Sequence, residues 1–348
     1  MMSQCRKPVV IEDPLQKYID GLSQQVPAKL DPHVYHTAHV AYNNVVKTSK
    51  SQGFIISGES GSGKTHTTKV MIQYMLQLAA KRNRVAAGVS GAESTTIAVK
   101  IENADPVLEA FGNAKTRNND NSSRFGKYLQ LFIDVDTGAI TGAEAKSYLL
   151  EKVRVVQKAT DECNYHVFYL MMAGLNATRK SALHLDGKGL DYFKILNTTA
   201  VRDEEEDRLT FTKLEKAFGV LGFVAETVNS IFQVLAAILH CGNIGFGSET
   251  NASLDIDDAS LVAAAQLLGV DKAELRDKFL EGGIKSRTPA VAHETRNALC
   301  KYLCVGAVGF GTLHIGCFVC SDRKVHKRTR TDFSQVRLRL QFHRRKGE

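Results

Sequence analysis

The chain has 348 residues, enough for one large core or two smaller ones, and its 43% hydrophobic and 24% charged content is that of an ordinary globular protein. It holds no run of about 18 apolar residues, so no membrane span is expected, and residues 1–10 carry no signal-peptide core. The net charge of +8 is concentrated at one end: residues 321–348 carry ten Lys/Arg against three acids, so the body is near neutral, which argues against a nucleic-acid-binding surface there.

Residues 1–30 read as a short helical lead-in punctuated by Pro14 and Pro27. Over 33–48, Val34, Tyr35, Ala38, Ala41, Tyr42 and Val45 share one face, which predicts a helix. Gly53-Phe54-Ile55-Ile56-Ser57 is a short apolar run of strand type. It leads into Gly58, Glu59, Ser60, Gly61, Ser62, Gly63, Lys64 and Thr65, the pattern G-x-x-x-x-G-K-[ST]. Glycines there let the backbone wrap with its N–H groups turned toward a polyphosphate. Lys64 can reach the terminal phosphates, and the Thr65 hydroxyl can ligate Mg²⁺. Residues 66–76 follow with apolar positions 71, 72, 75 and 76 at helical spacing, so a helix N-terminus faces the anion.

Residues 81–96 are small and polar and read as an exposed loop; 97–111 read as a helix. Residues 118–127 are polar. Strands are predicted over 128–135 and 140–156, joined by the turn signal Asp136-Thr137-Gly138. That hairpin context argues against Asp134 as a metal-binding carboxylate at a strand end. Beyond 161 the pattern is mostly helical. Over 227–240, Val228, Ile231, Phe232, Leu235, Ile238 and Leu239 form a stripe read as core packing.

A polyphosphate site needs a second element that senses the terminal phosphate and completes the metal shell. Asn119, Asn121, Ser122, Ser123 and Arg124 are short polar donors next to a strand, with an arginine that can pair with a carboxylate or an anion. Residue type alone leaves this reading open beside that of a capping and turn segment.

The glycine loop, then Leu108-Glu109-Ala110-Phe111-Gly112-Asn113-Ala114-Lys115-Thr116, then Asn-Asp-Asn-Ser-Ser-Arg-Phe-Gly-Lys at 119–127, together resemble the myosin motor head. Tyr148-Leu149-Leu150-Glu151-Lys152, His166-Val167-Phe168-Tyr169 and residues 236–244 extend the likeness, which runs from about residue 12 to about 303. The resemblance implies an α/β fold: a P-loop NTPase core with a mostly parallel or mixed sheet at about 30–160, and a largely helical upper subdomain at about 161–303. Together 1–303 would be a partial motor domain, and 304–348 a divergent basic tail expected to be disordered. It implies an actin-based motor ATPase, cytoplasmic and cytoskeleton-associated, with ATP and Mg²⁺ as cofactors, ATP/ADP as ligands and F-actin as partner. Gly58–Thr65 would be the phosphate loop, with Lys64 on the β- and γ-phosphates and Thr65 and Ser123 as Mg²⁺ ligands. Asn119 and Asn121 would contact the phosphates and the bound lysine, Ser122 would lie near the attacking water, and Arg124 would close the back of the site. Residues 81–96 would be a variable surface loop.

In that family Arg124 meets a glutamate in a second switch, Asp-Ile-x-Gly-Phe-Glu. Gly306-Ala307-Val308-Gly309-Phe310 and Asp255-Ile256-Asp257 are only incomplete echoes of it. Counterparts of the relay, converter, lower actin-binding subdomain and light-chain motif are also missing, so binding is expected, hydrolysis and force generation are in doubt, and light chains are not expected. The strand leading to the second switch would lie between the 53–57 and 128–135 strands. Its loss predicts unpaired backbone groups and an unstable chain. The alternative is a non-enzymatic nucleotide-binding or scaffold module with a basic tail. Seven cysteines without a leader point to free thiols, but Cys300, Cys304, Cys317 and Cys320, with His314, approach a zinc-type spacing.

Overall fold

The computed structural model describes residues 14–22, 30–59, 61–87, 92–247, 250–282, 286–318 and 335–342. Helix α1 (Pro14–Leu22) starts on a proline, whose missing N–H costs nothing at a first helical position. Helix α2 (Val34–Thr48) is capped by His33, whose ring nitrogen accepts the Tyr35 N–H at 3.2 Å. Strand β1 (Gln52–Ile56) enters the glycine loop, and helix α3 (Lys64–Ala87) leaves it. Tyr35 stacks on Tyr74 at 4.8 Å to join α2 to α3, and the Tyr74 hydroxyl lies 2.9 Å from a ring nitrogen of His39.

Helix α4 (Ala92–Gly112) follows. The expected loop over 81–96 is therefore corrected. Residues 81–87 continue α3 and 92–96 begin α4, with 88–91 outside the described residues. Lys81, Arg82, Ala86 and Ala87 are strong helix formers, and a first glycine arrives only at Gly88.

Strands β2 (Asn113–Thr116) and β3 (Asn119–Ser123) form a small antiparallel hairpin pairing Asn113 with Ser123 and Ala114 with Ser122. Strands β4 (Gly126–Asp134) and β5 (Ile140–Tyr148) form the predicted hairpin. Asp134 serves its turn, accepting the Thr137 N–H at 2.8 Å. Strand β5 stops at Tyr148, short of the expected 156. Leu149 is left-handed (φ 55°) and 88% exposed, and Lys152–Val155 is a 3₁₀ turn.

The remainder is largely helical: α5 (His166–Gly174), α6 (Ala177–Ala182), α7 (Glu204–Val220), α8 (Ala225–Asn243), α9 (Ala259–Leu268), α10 (Lys272–Leu280) and α11 (Pro289–Phe318). Residues 167–172 of α5 are buried without interruption, as a helix enclosed on all sides requires. Phe211 and Phe218 of α7 meet Phe232 of α8 at 5.5 and 6.4 Å, and Phe218 also meets Phe111 of α4 edge-on. Each such ring contributes about 1.5–3 kcal/mol by leaving water.

The described residues beyond 304, 305–318 and 335–342, differ from the expected disorder. Helix α11 continues to Phe318, and β6 (Gln335–Phe342) enters the main sheet, whose order is β1-β6-β4-β5. β6 runs parallel to β1 (Phe54 opposite Leu340) and antiparallel to β4 (Leu129 opposite Leu340). The sheet is mixed, with antiparallel pairs outnumbering the parallel one, and the slot expected to be vacant is filled. Gln-Val-Arg-Leu-Arg-Leu-Gln-Phe alternates with period two, so this basic segment has strand character despite its charge. The unpaired central backbone anticipated from the missing strand is thereby corrected. Cys300 and Cys304 are buried in α11, and the Cys300 thiol donates to the Ile238 carbonyl of α8 at 4.0 Å, so both pack inward. The side chains of His314 and Cys317, and all of Cys320, lie outside the described residues. No helix among the described residues is long and apolar enough to cross a membrane.

Candidate functional site

The loop between β1 and α3 is shaped by Gly61 and Gly63, at φ 81° and 82°. Both angles are left-handed and would strain any side-chain-bearing residue. The Thr67 N–H donates to the Gly63 carbonyl at 2.8 Å, so α3 begins as the loop closes. No acidic residue occupies the first turn of α3, which leaves its positive end and N–H groups uncompensated. Lys64 Nζ folds back over the loop, donating to the carbonyls of Gly58 (2.7 Å) and Glu59 (2.5 Å). Partial burial lowers the Lys64 pKa. Gly58 is tightly enclosed, since a Cβ there would lie 2.6 Å from the Ser62 hydroxyl. Ser60 lies outside the described residues.

Facing this loop, α3, α4, β2, β3 and the start of β4 line a cleft open to solvent. Lys64, Thr65, Asn113 and Ser123 all line it. Thr65 and Ser123, nearly sixty positions apart, both line this one cleft. The Asn113 Oδ1 is buried without a hydrogen-bond partner, an acceptor that a hydrated cation or a bound hydroxyl would satisfy. Two hydroxyls and a cationic amine beside a free helix N-terminus form a donor set that suits Mg²⁺ and a polyphosphate.

Successive strand residues face opposite ways, so Ser122 turns from the cleft where Ser123 lines it. Ser122 is 2% exposed, and its Oγ accepts from Arg124 Nη1 at 3.2 Å. Asn119 Oδ1 accepts the Asn121 N–H at 2.9 Å, bracing the β3 backbone. Asn121 is fully engaged. Its Oδ1 accepts from Asn113 Nδ2 (2.9 Å) and lies 3.2 Å from His166 Nε2, while its Nδ2 donates to Glu109 (3.0 Å). Arg202 can only donate, and it lies 3.3 Å from His166 Nδ1. That assigns the imidazole hydrogen to Nε2, pointing at Asn121. Burial, with Arg202 adding to it, lowers the His166 pKa to about 4, so the ring is neutral at pH 7.

Arg124 has a carboxylate partner within the chain, Glu151, which lies outside any second-switch pattern. Its Nε lies 2.5 Å from Glu151 Oε2, and the same oxygen receives Arg154 Nε at 2.8 Å. Burial pushes the Glu151 carboxyl up, but hydrogen bonds from Arg124 and Arg154 outweigh it and hold the pKa at about 2. The cleft also holds residues that motif reading passed over. Lys69 of α3 pairs with Glu109 of α4 at 2.8 Å, and Asp105 pairs with both Lys69 (3.7 Å) and Lys127. Thr65 and Lys69, like Asp105 and Glu109, are four apart in sequence. Each pair therefore shares one helical face, a spacing from which they could have been found.

The family model for the myosin head (motor domain) matches residues 9–307. The chain belongs to the myosin head family. Among myosin relatives, unconventional myosin heavy chain 6 of Caenorhabditis elegans is 39% identical over 285 residues, 78% of this chain and 13% of the relative. Myosin-2 of Saccharomyces cerevisiae is 38% identical over 262 residues, 74% of this chain and 16% of the relative. Unconventional myosin IC of Drosophila melanogaster is 36% identical over 302 residues, 85% of this chain and 27% of the relative. This myosin head sequence thus spans about a quarter or less of the relatives it matches, and the matched region holds both the glycine loop and the β2–β3 hairpin.

Proposed function

We propose that the chain is the nucleotide-binding part of a myosin head, with a P-loop NTPase core that takes Mg-ATP and Mg-ADP between the 58–65 loop and β3. The observation that carries this reading is the convergence of Lys64, Thr65 and Ser123 on one cleft at the N-terminus of α3. Lys64 would exchange its two loop carbonyls for the β- and γ-phosphates. The N–H groups of the loop would hold phosphate oxygens. Thr65 and Ser123 would supply hydroxyl ligands to Mg²⁺, which when bound neutralises phosphate charge. Asn119 and Asn121 keep β3 in register so that Ser123 stays in the cleft.

Binding is better supported than turnover. The carboxylates lining the cleft, Asp105 and Glu109, are tied to Lys69, Lys127 and Asn121, so neither is available to orient a water. Ser122, the residue expected near that water, is engaged by Arg124. F-actin as partner and a cytoskeletal, cytoplasmic setting are proposed from family membership. Calorimetric titration with Mg-ADP and Mg-ATPγS tests the central reading. Wild type binds both, and Lys64→Ala weakens both by on the order of 100-fold, as loss of a charge-assisted phosphate contact predicts. A wild-type protein that binds neither nucleotide sinks it. Actin co-sedimentation tests the partner, and a protein left wholly in the supernatant rejects it.

A further inference from the structure

Arg124 is gripped by Glu151 at two levels. Besides the side-chain ion pair, the Glu151 N–H donates to the Arg124 carbonyl at 3.0 Å, and the Arg124 N–H donates to the Gly112 carbonyl at 2.8 Å. The residue that follows Ser123 is therefore pinned on both sides of its backbone and at its guanidinium. Glu151 is itself anchored. Its carbonyl accepts the Tyr165 hydroxyl at 2.7 Å, and its carboxylate is shared with Arg154. Arg154 continues to Glu162 at 2.7 Å and to the Cys163 carbonyl at 2.9 Å. The Cys163 N–H then returns to the Lys115 carbonyl on β2 at 2.9 Å. Charges alternate along Arg124, Glu151, Arg154 and Glu162, and the Arg124 and Arg154 side chains are 11% and 3% exposed. Glu151 does not line the cleft, so anything it does there passes through Arg124 and its neighbour.

We propose that Glu151 is the positioning residue for Ser123: by clamping Arg124 to the segment ahead of α5, it holds the Ser123 hydroxyl across the cleft from Thr65, where the two can share one divalent cation. The proposal rests on the nucleotide-binding reading above. Removing the clamp lets the end of β3 move, so the loss falls on the part of nucleotide affinity that depends on the metal. Metal-independent contacts from Lys64 and the loop N–H groups are spared.

The test compares ATPγS affinity with Mg²⁺ and with EDTA, on the full chain. Wild type gains affinity on adding Mg²⁺. Glu151→Gln reduces that gain about tenfold, the scale of a lost charge-assisted pair, and Glu151→Asp restores most of it. Arg124→Gln leaves Glu151 paired with Arg154, so it keeps the rest of the network should Glu151→Gln fold poorly, and it reduces the gain to the same extent. The double variant matches either single one. A normal Mg²⁺ gain in Arg124→Gln or in folded Glu151→Gln overturns the inference while leaving nucleotide binding intact. Additive losses in the double variant overturn it too. A wild type without nucleotide binding fails the underlying reading instead.

Discussion

The cleft and the helical body are built on opposite principles. Around the cleft, Lys64, Lys69, Asp105, Glu109, Asn121 and Arg124 are joined in ion pairs and hydrogen bonds, several of them partly exposed. In the body, α5 and the second half of α8 are enclosed by aromatic and aliphatic side chains, with Phe168, Phe232 and Leu239 at 0–1% exposure. Polar networks fix direction at little net gain in stability, because every bond formed replaces one to water. Apolar burial adds stability without direction. The comparison teaches that one region sets what is bound and the other whether there is a fold to bind it.

The largest expected effect breaks the body. Phe232→Ala removes a ring held by Phe211 and Phe218 and should cost about 3–5 kcal/mol of unfolding free energy in urea titration. A cost below about 1 kcal/mol would deny that α7 and α8 share one core. Next, Lys64→Ala should abolish most nucleotide affinity while moving stability by no more than about 0.5 kcal/mol. A matching loss of stability would show that site and body are not separable.

Acid tests both regions together. His166 and His240 are held neutral by burial, each with a pKa of about 4 against an ordinary 6.5. The unfolded chain takes up these protons first, so stability is full above pH 6.5 and falls as pH drops toward 4. Glu151, held at about 2 against an ordinary 4.5, adds a loss between pH 4.5 and 2. The urea midpoint at pH 5 should lie below that at pH 7, and equal midpoints would contradict the burial of both imidazoles. The smallest effect is local. Asp203 caps α7 by accepting the Glu205 and Glu206 N–H groups at 2.9 and 3.2 Å. Asp203→Ala should cost about 1 kcal/mol and leave nucleotide binding unchanged.

Helices α2 and α8 were legible because their apolar residues repeat at helical spacing. The glycine loop was legible because only a few residue types can wrap a backbone around phosphate. The β2–β3 hairpin was not: Asn, Asp and Ser carry no apolar alternation, and their turn preference masks a strand that packing imposes. Strand β6 had the alternation, in Val336, Leu338, Leu340 and Phe342, but its arginines concealed it within a basic tail. The pairing of Arg124 with Glu151 spans 27 positions and left no local signal.

By itself the amino-acid sequence determined the local chemistry: a glycine loop that can cradle phosphate, a lysine and a threonine to serve it, and helices whose faces demand burial. Those features depend on neighbours within a few residues, where backbone geometry is dictated by the side chains present. Only the tertiary structure decided that Asn113, Lys69, Asp105 and Glu109 join the cleft, that Glu151 holds Arg124, and that residues 335–342 complete the sheet. Each of these is a choice among distant partners of equal local merit, settled by which arrangement lets the whole core close with its polar groups paired.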